Sequence, residues 1–186
     1  MPTNLPTLLT WLRMLAIPLL VGVFYLPIPT ETRNTVATIL FVAAAITDWV
    51  DGWLARRWQQ TSAFGAFLDP VADKLLVCAA LVMLVELNRV DALVAVIIIG
   101  REITISALRE WMAQIGARAS VAVHSIGKFK TIAQLVAIPM LLFNDRLLGL
   151  DCVLVGRWLI ALASVLTVWS MFYYLRRAWP YLRDAA

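Results

Sequence analysis

Six apolar stretches, each separated from the next by a short polar segment, constrain this chain more than any other feature. They run from Leu12 to Leu26, Val36 to Trp53, Leu75 to Leu87, Ala92 to Leu108, Ile132 to Phe143 and Val153 to Leu175. Several reach about 20 residues once flanking polar positions are included, enough for a helix to cross about 30 Å of hydrocarbon. With 62% hydrophobic residues, 15% charged residues and a mean hydropathy of +0.82, the chain is far more apolar than a soluble domain. The expectation is an all-α membrane protein with six transmembrane helices. Six helices and their connections use nearly all of the 186 residues, so residues 1–186 read as a single membrane domain.

Basic residues orient the spans, because Lys and Arg concentrate on the cytoplasmic side. With the N-terminus inside, 12 of the 16 Lys and Arg residues fall on the inner side, leaving Arg33, Arg89, Arg146 and Arg157 outside. Both termini are therefore expected to face the cytoplasm. The net charge of +4 suits anionic lipid head groups and calls for no nucleic-acid partner. Met1 to Leu12 lacks the basic start and small-residue cleavage site of a signal peptide. It reads as an N-terminal interfacial helix with Leu5, Leu8, Leu9 and Leu12 on one side and Arg13 closing it. Cys78 and Cys152 lack metal or redox spacing and read as free thiols. His124, the single histidine, falls in the loop between the fourth and fifth spans.

Against this apolar background the acids stand out. Asp48 and Asp51 are three residues apart and Asp69 and Asp73 four apart, so each pair occupies one face of its helix. Turned toward each other, the two faces make a four-carboxylate cage. Carboxylate oxygen is the ligand that hard divalent cations such as Mg²⁺ and Mn²⁺ prefer, and four clustered negative charges require cations among them. Gly52 and Ala55 follow Asp48 on the same face and leave a surface without bulk, while Arg56 offers a forked donor suited to phosphate. Gly65, four residues before Asp69, opens the opposing helix in the same way, although either glycine alone would also serve close helix packing.

The run Asp48, Asp51, Gly52, Ala55, Arg56, Gly65, Asp69, Asp73 matches D-x2-D-G-x2-A-R-x8-G-x3-D-x3-D at every fixed position. In this it resembles the CDP-alcohol phosphatidyltransferases. N-L-P-T-L-L-T-W-L-R near the start, G-A-F-L-D-P-V-A-D-K-L-L-V, R-E-I-T-I-S-A-L-R-E-W and G-K-F-K-T-I-A-Q are similar to the bacterial branch of that family that forms phosphatidylglycerophosphate. The resemblance implies six transmembrane helices in the bacterial cytoplasmic (inner) membrane, a homodimer, and a cytoplasm-facing site. It implies transfer of a phosphatidyl group from CDP-diacylglycerol to an alcohol with release of CMP, assisted by two Mg²⁺ or Mn²⁺ ions. Carried across, Asp48, Asp51 and Asp69 match metal ligands, Asp73 matches a ligand that is also the general base, and Gly52, Arg56, Ser62 and Gly65 match the CDP-diacylglycerol site.

The acceptor is read from other residues. Arg101 and Arg109 are eight apart in the fourth span, about 80° apart around a helix, and Lys128 and Lys130 open the fifth. All lie toward the inner side, where they suit a phosphorylated acceptor; each alone would equally serve as a snorkelling anchor, and Glu102 or Glu110 would pair with an arginine. By resemblance the acceptor is sn-glycerol 3-phosphate. Relatives with the same aspartate signature use inositol phosphate, serine or phosphatidylglycerol, so these remain alternatives. A divalent-cation transporter is the reading from another class, disfavoured because its acids belong near mid-bilayer in a repeated architecture. A membrane prenyltransferase is disfavoured because its N-D-x-x-D type motif is absent.

Overall fold

The computed structural model describes residues 5–58, 63–115 and 125–184, and for Asp51, Gly52, Arg56 and Lys128 the helical backbone alone. Ser62 and His124 lie outside the described residues. Six helices follow one another: α1 (Leu5–Val23), α2 (Thr30–Trp58), α3 (Ala63–Glu86), α4 (Ala92–Gln114), α5 (Ser125–Phe143) and α6 (Cys152–Asp184). The protein is all-α apart from a hairpin of two-residue strands, β1 (Arg146–Leu147) and β2 (Leu150–Asp151), between α5 and α6. Leu148 and Gly149 both adopt positive φ, 52° and 84°, as the tight two-residue hairpin turn requires. Leu-Gly carries no strong signal for such a turn, and the all-helical expectation passed over it.

Among the described residues no separate interfacial helix is found. Residues from Leu5 onward form one continuous helix with the first apolar stretch. The reason is visible in the burial pattern. Leu8, Leu12, Leu15 and Leu19 make an exposed stripe, whereas Thr10, Arg13 and Leu20 are buried as α1 packs on α2 and α3. A helix anchored by its polar face to two neighbours continues through the point where the sequence suggested a break.

One stretch, Cys152–Arg176 in α6, meets the length and hydropathy of a membrane span within the described residues, with 25 residues at mean hydropathy 1.9; Leu8–Val23 and Phe129–Phe143 are shorter apolar segments. The remaining helices carry the outward apolar surface of a protein that meets lipid: Ile39, Ile46, Val82, Val96, Ile103 and Ile132 are all more than half exposed. Four hydroxyls are satisfied inside their own helices, with Thr38, Thr47, Ser106 and Ser170 donating to the backbone oxygens of Asn34, Ala43, Glu102 and Thr167. This is the economy expected where water is scarce.

The core is a seam of Phe41 and Ala44 from α2, Leu76, Ala80 and Leu84 from α3, Ile98 from α4, and Ala137, Ile138 and Leu141 from α5. Gly156 of α6 lets that helix close on α5: a Cβ there would meet Leu141 Cγ at 2.8 Å and the Ala137 carbonyl oxygen at 3.3 Å. Buried Arg89, between α3 and α4, donates to the Leu141 and Leu142 carbonyls at 3.1 and 2.7 Å and to Asn34 Oδ1 at 2.8 Å. It thereby satisfies carbonyls that the end of α5 leaves without intrahelical partners, and ties α2, α3 and α5 at one end of the bundle. At the other end α2 and α3 are joined by four residues, so the end of α2 and the start of α3 are neighbours. That adjacency brings the aspartates together.

Candidate active site

Asp48 lies in the second half of α2 and Asp69 and Asp73 in the first half of α3. A residue from α1 binds two of them. Arg13 Nη1 lies 2.8 Å from Asp48 Oδ1 and 2.5 Å from Asp73 Oδ1, so carboxylates from two helices converge on one nitrogen. One turn earlier, Thr10 Oγ1 donates to Asp69 Oδ1 at 2.5 Å. The side chain of Arg13 is fully buried, while those of Asp48 and Asp73 are 42% and 43% exposed, so the carboxylates keep an open side opposite the guanidinium.

That open side faces a cavity of about 160 Å³ lined by Asp48, Asp73, Lys74, Glu102, Thr131 and Gln134. Asp48 and Asp73 thus share one arginine and one cavity, while Asp69 is held by Thr10. Among the described residues no three His, Cys, Asp or Glu side chains sit together at metal-binding spacing; the fourth acid, Asp51, has its helical backbone alone described. The donors present fit a divalent cation in kind: hard carboxylate oxygens from two helices already gather around one positive charge.

Two of the cations expected to serve the acceptor meet at Glu102, which lines that cavity. Lys130 of α5 pairs with Glu102 Oε1 of α4, and Arg101 Nη1 lies 3.0 Å from that same oxygen. Arg101 also reaches Ser170 Oγ at 3.3 Å. Arg109 donates to Tyr174 Oη at 3.2 Å, and the guanidiniums of Arg101 and Arg109 lie 5.9 and 5.2 Å from the centre of the Tyr174 ring. Arg101 and Lys130 are buried, so neither is a snorkelling anchor. Two buried cations share the one carboxylate of Glu102, which leaves this wall with excess positive charge. Such an excess is costly in a protein interior unless an anion joins it. Glu102 took the pairing role foreseen for it, and Glu110 is exposed.

Several residues of the site had no sequence signal of their own. Thr10 and Arg13 are one turn apart on α1, a polar pair on an apolar helix, and that spacing was the available hint. Their partners are 59 and 60 positions away, beyond any periodicity argument. Gln134 sits four residues after Lys130 on the same face of α5. Ser170 and Tyr174, four apart on α6, looked like ordinary polar interruptions of a span.

A helical bundle with aspartates of two helices at a cavity, and Glu102 of that cavity paired with two buried cations, defines a class that the sequence comparison names: the chain belongs to the CDP-alcohol phosphatidyltransferase family, whose sequence model matches residues 3–169. That family uses divalent metal ions. Among curated proteins it is 50% identical over 186 residues to the CDP-diacylglycerol–glycerol-3-phosphate 3-phosphatidyltransferase of Escherichia coli strain K12, covering 99% of this chain and 100% of the relative. It is 52% identical over 186 residues to the protein of that name in Yersinia enterocolitica, with the same coverage. The like-named Haemophilus influenzae protein is 46% identical over 187 residues, covering 99% of this chain and 98% of the relative.

Proposed function

We propose that this protein transfers the phosphatidyl group of CDP-diacylglycerol to sn-glycerol 3-phosphate, giving phosphatidylglycerophosphate and CMP. The observation that carries the reading is one cavity with Asp48 and Asp73 on one wall and Glu102, partner of Lys130 and Arg101, on the other. One wall suits a diphosphate bridged by cations, and the other an anionic acceptor. The near full-length identity to enzymes bearing this name supports the choice of acceptor.

In the reaction an acceptor hydroxyl oxygen bonds to the phosphorus nearer the lipid, the bond from that phosphorus to the CMP oxygen breaks, and CMP leaves with the electron pair. Asp73 takes the hydroxyl proton. Asp48, Asp51, Asp69 and Asp73 would hold two Mg²⁺ or Mn²⁺ ions, which supply charge neutralisation of the diphosphate and of the departing CMP. Arg56, Gly52 and Ser62 contact the CDP moiety and Gly65 leaves room for it. Arg101, Arg109 and Lys130, with Lys128 beside them, receive the acceptor phosphate. Arg13 and Thr10 hold the carboxylates in place from the side away from the substrate.

The six helices cross the bacterial inner membrane with both termini and the site on the cytoplasmic side, as the 12-to-4 distribution of basic residues supports, and the protein works as a homodimer among membrane lipids. Purified protein supplied with CDP-diacylglycerol, Mg²⁺ or Mn²⁺, and in turn glycerol 3-phosphate, inositol phosphate, serine and phosphatidylglycerol tests this reading. Phosphatidylglycerophosphate and CMP in equal amounts are expected with the first. A lipid product made preferentially from another acceptor would reassign the substrate, and no CMP release with any of them would remove the enzyme reading.

A further inference from the structure

Gln134 belongs to the cavity wall yet has no role in the scheme above. Its side chain is 4% exposed, and its amide nitrogen has no hydrogen-bond partner among the described residues. Buried amide nitrogens are almost always bonded, and an exception in a binding cavity points to a ligand atom that completes it. On α5 Gln134 lies one helical turn from Lys130. It shares the cavity with Asp73 and Asp48, and with Glu102, the partner of Lys130. A neutral donor is therefore set in one cavity with the carboxylate that would take a proton and with the glutamate that pairs the phosphate-suited cations.

We infer that Gln134 is a specificity-determining residue that donates its amide N–H to the middle hydroxyl of a three-carbon phosphorylated acceptor. The inference rests on the proposed acceptor. Glycerol 3-phosphate carries a phosphate at one end, the reacting primary hydroxyl at the other and a secondary hydroxyl between them. With the phosphate at Lys130 and Arg101 and the primary hydroxyl at Asp73, the secondary hydroxyl falls to the group between, and the amide supplies the donor. Being uncharged, that donor adds nothing to the field of the carboxylates. A site built to bond a hydroxyl rejects the analogue lacking it, because the buried donor is then left unpaired.

The test compares kcat/KM for glycerol 3-phosphate and for 3-hydroxypropyl phosphate, which lacks the middle hydroxyl, in the wild type, Gln134→Leu and Gln134→Asn. The wild type should prefer glycerol 3-phosphate by about tenfold or more. Gln134→Leu should lose most of that preference through poorer use of glycerol 3-phosphate, with the KM for CDP-diacylglycerol unchanged. Gln134→Asn, whose shorter amide does not reach, should behave alike and serves if the leucine variant does not fold. Equal use of both acceptors by the wild type, or an undiminished preference in both variants, would overturn the assignment while leaving the acceptor reading intact. No turnover of glycerol 3-phosphate by the wild type would instead overturn the proposed function and this inference with it.

Discussion

Arg13 illustrates how much a single residue decides at this site. Its guanidinium is buried between Asp48 and Asp73, where like charges on adjoining helices would otherwise repel. The proton transfer proposed for Asp73 separates it from its neighbours in an experiment. Asp73→Asn should lower turnover by about 10²–10⁴-fold, the usual worth of a general base, while CDP-diacylglycerol binding measured by equilibrium dialysis persists; near wild-type turnover would remove Asp73 from that role. On the opposite wall, Arg109→Ala should raise the KM for glycerol 3-phosphate much more than that for CDP-diacylglycerol, by the equivalent of about 1.5–3 kcal/mol for a lost charged hydrogen bond. Unchanged acceptor kinetics would return Arg109 to its tyrosine contact alone. The spacing of the aspartates was legible because it is short-range and periodic. The pairing of Arg13 with Asp73 was not, because it depends on how α1 rotates against α3.

At the scale of elements, the site exists because α2 and α3 are antiparallel neighbours closed by a four-residue connection. The helices are longer than the apolar stretches implied. α3 begins at Ala63, well before the apolar stretch at Leu75, as the helical spacing of Gly65, Asp69 and Asp73 implied. Arg89 shows what sequence reasoning does not reach. It counts as an outer-side basic residue, yet it is buried and caps the end of α5, a role invisible without knowing where Leu141 and Leu142 end up. Arg89→Ala should therefore lower the unfolding midpoint by roughly 3–12 °C, as expected for about 1.5–3 kcal/mol in a domain of this length. The KM values of the folded protein should be unchanged. A midpoint equal to wild type would show that the cap is dispensable. Gly156→Val should also destabilise, by about 1–3 kcal/mol of overpacking against Leu141, and scanning calorimetry of both variants separates these effects from catalysis.

For the molecule as a whole, the charge asymmetry supports the proposed orientation, with the aspartate end in the cytoplasm. The β1–β2 hairpin lies at the opposite end, with Leu148 fully exposed at its tip, and α6 ends near Arg183 on the aspartate side. In a background with Cys78 and Cys152 replaced by Ala, Leu148→Cys should react with a membrane-impermeant maleimide added to intact cells, and Arg183→Cys should react after lysis alone. The reverse pattern would place the site outside and contradict the use of a cytoplasmic phosphorylated acceptor. The central claim joins metal and acceptor in one reaction, and a single measurement tests it: CMP release and lipid product by mass spectrometry from purified protein, CDP-diacylglycerol and glycerol 3-phosphate, with and without chelation of divalent metal. The account predicts phosphatidylglycerophosphate and CMP in equal amounts, abolished by the chelator and restored by added Mg²⁺ or Mn²⁺. Undiminished product in the presence of chelator, or CMP release without phosphatidylglycerophosphate, would contradict it.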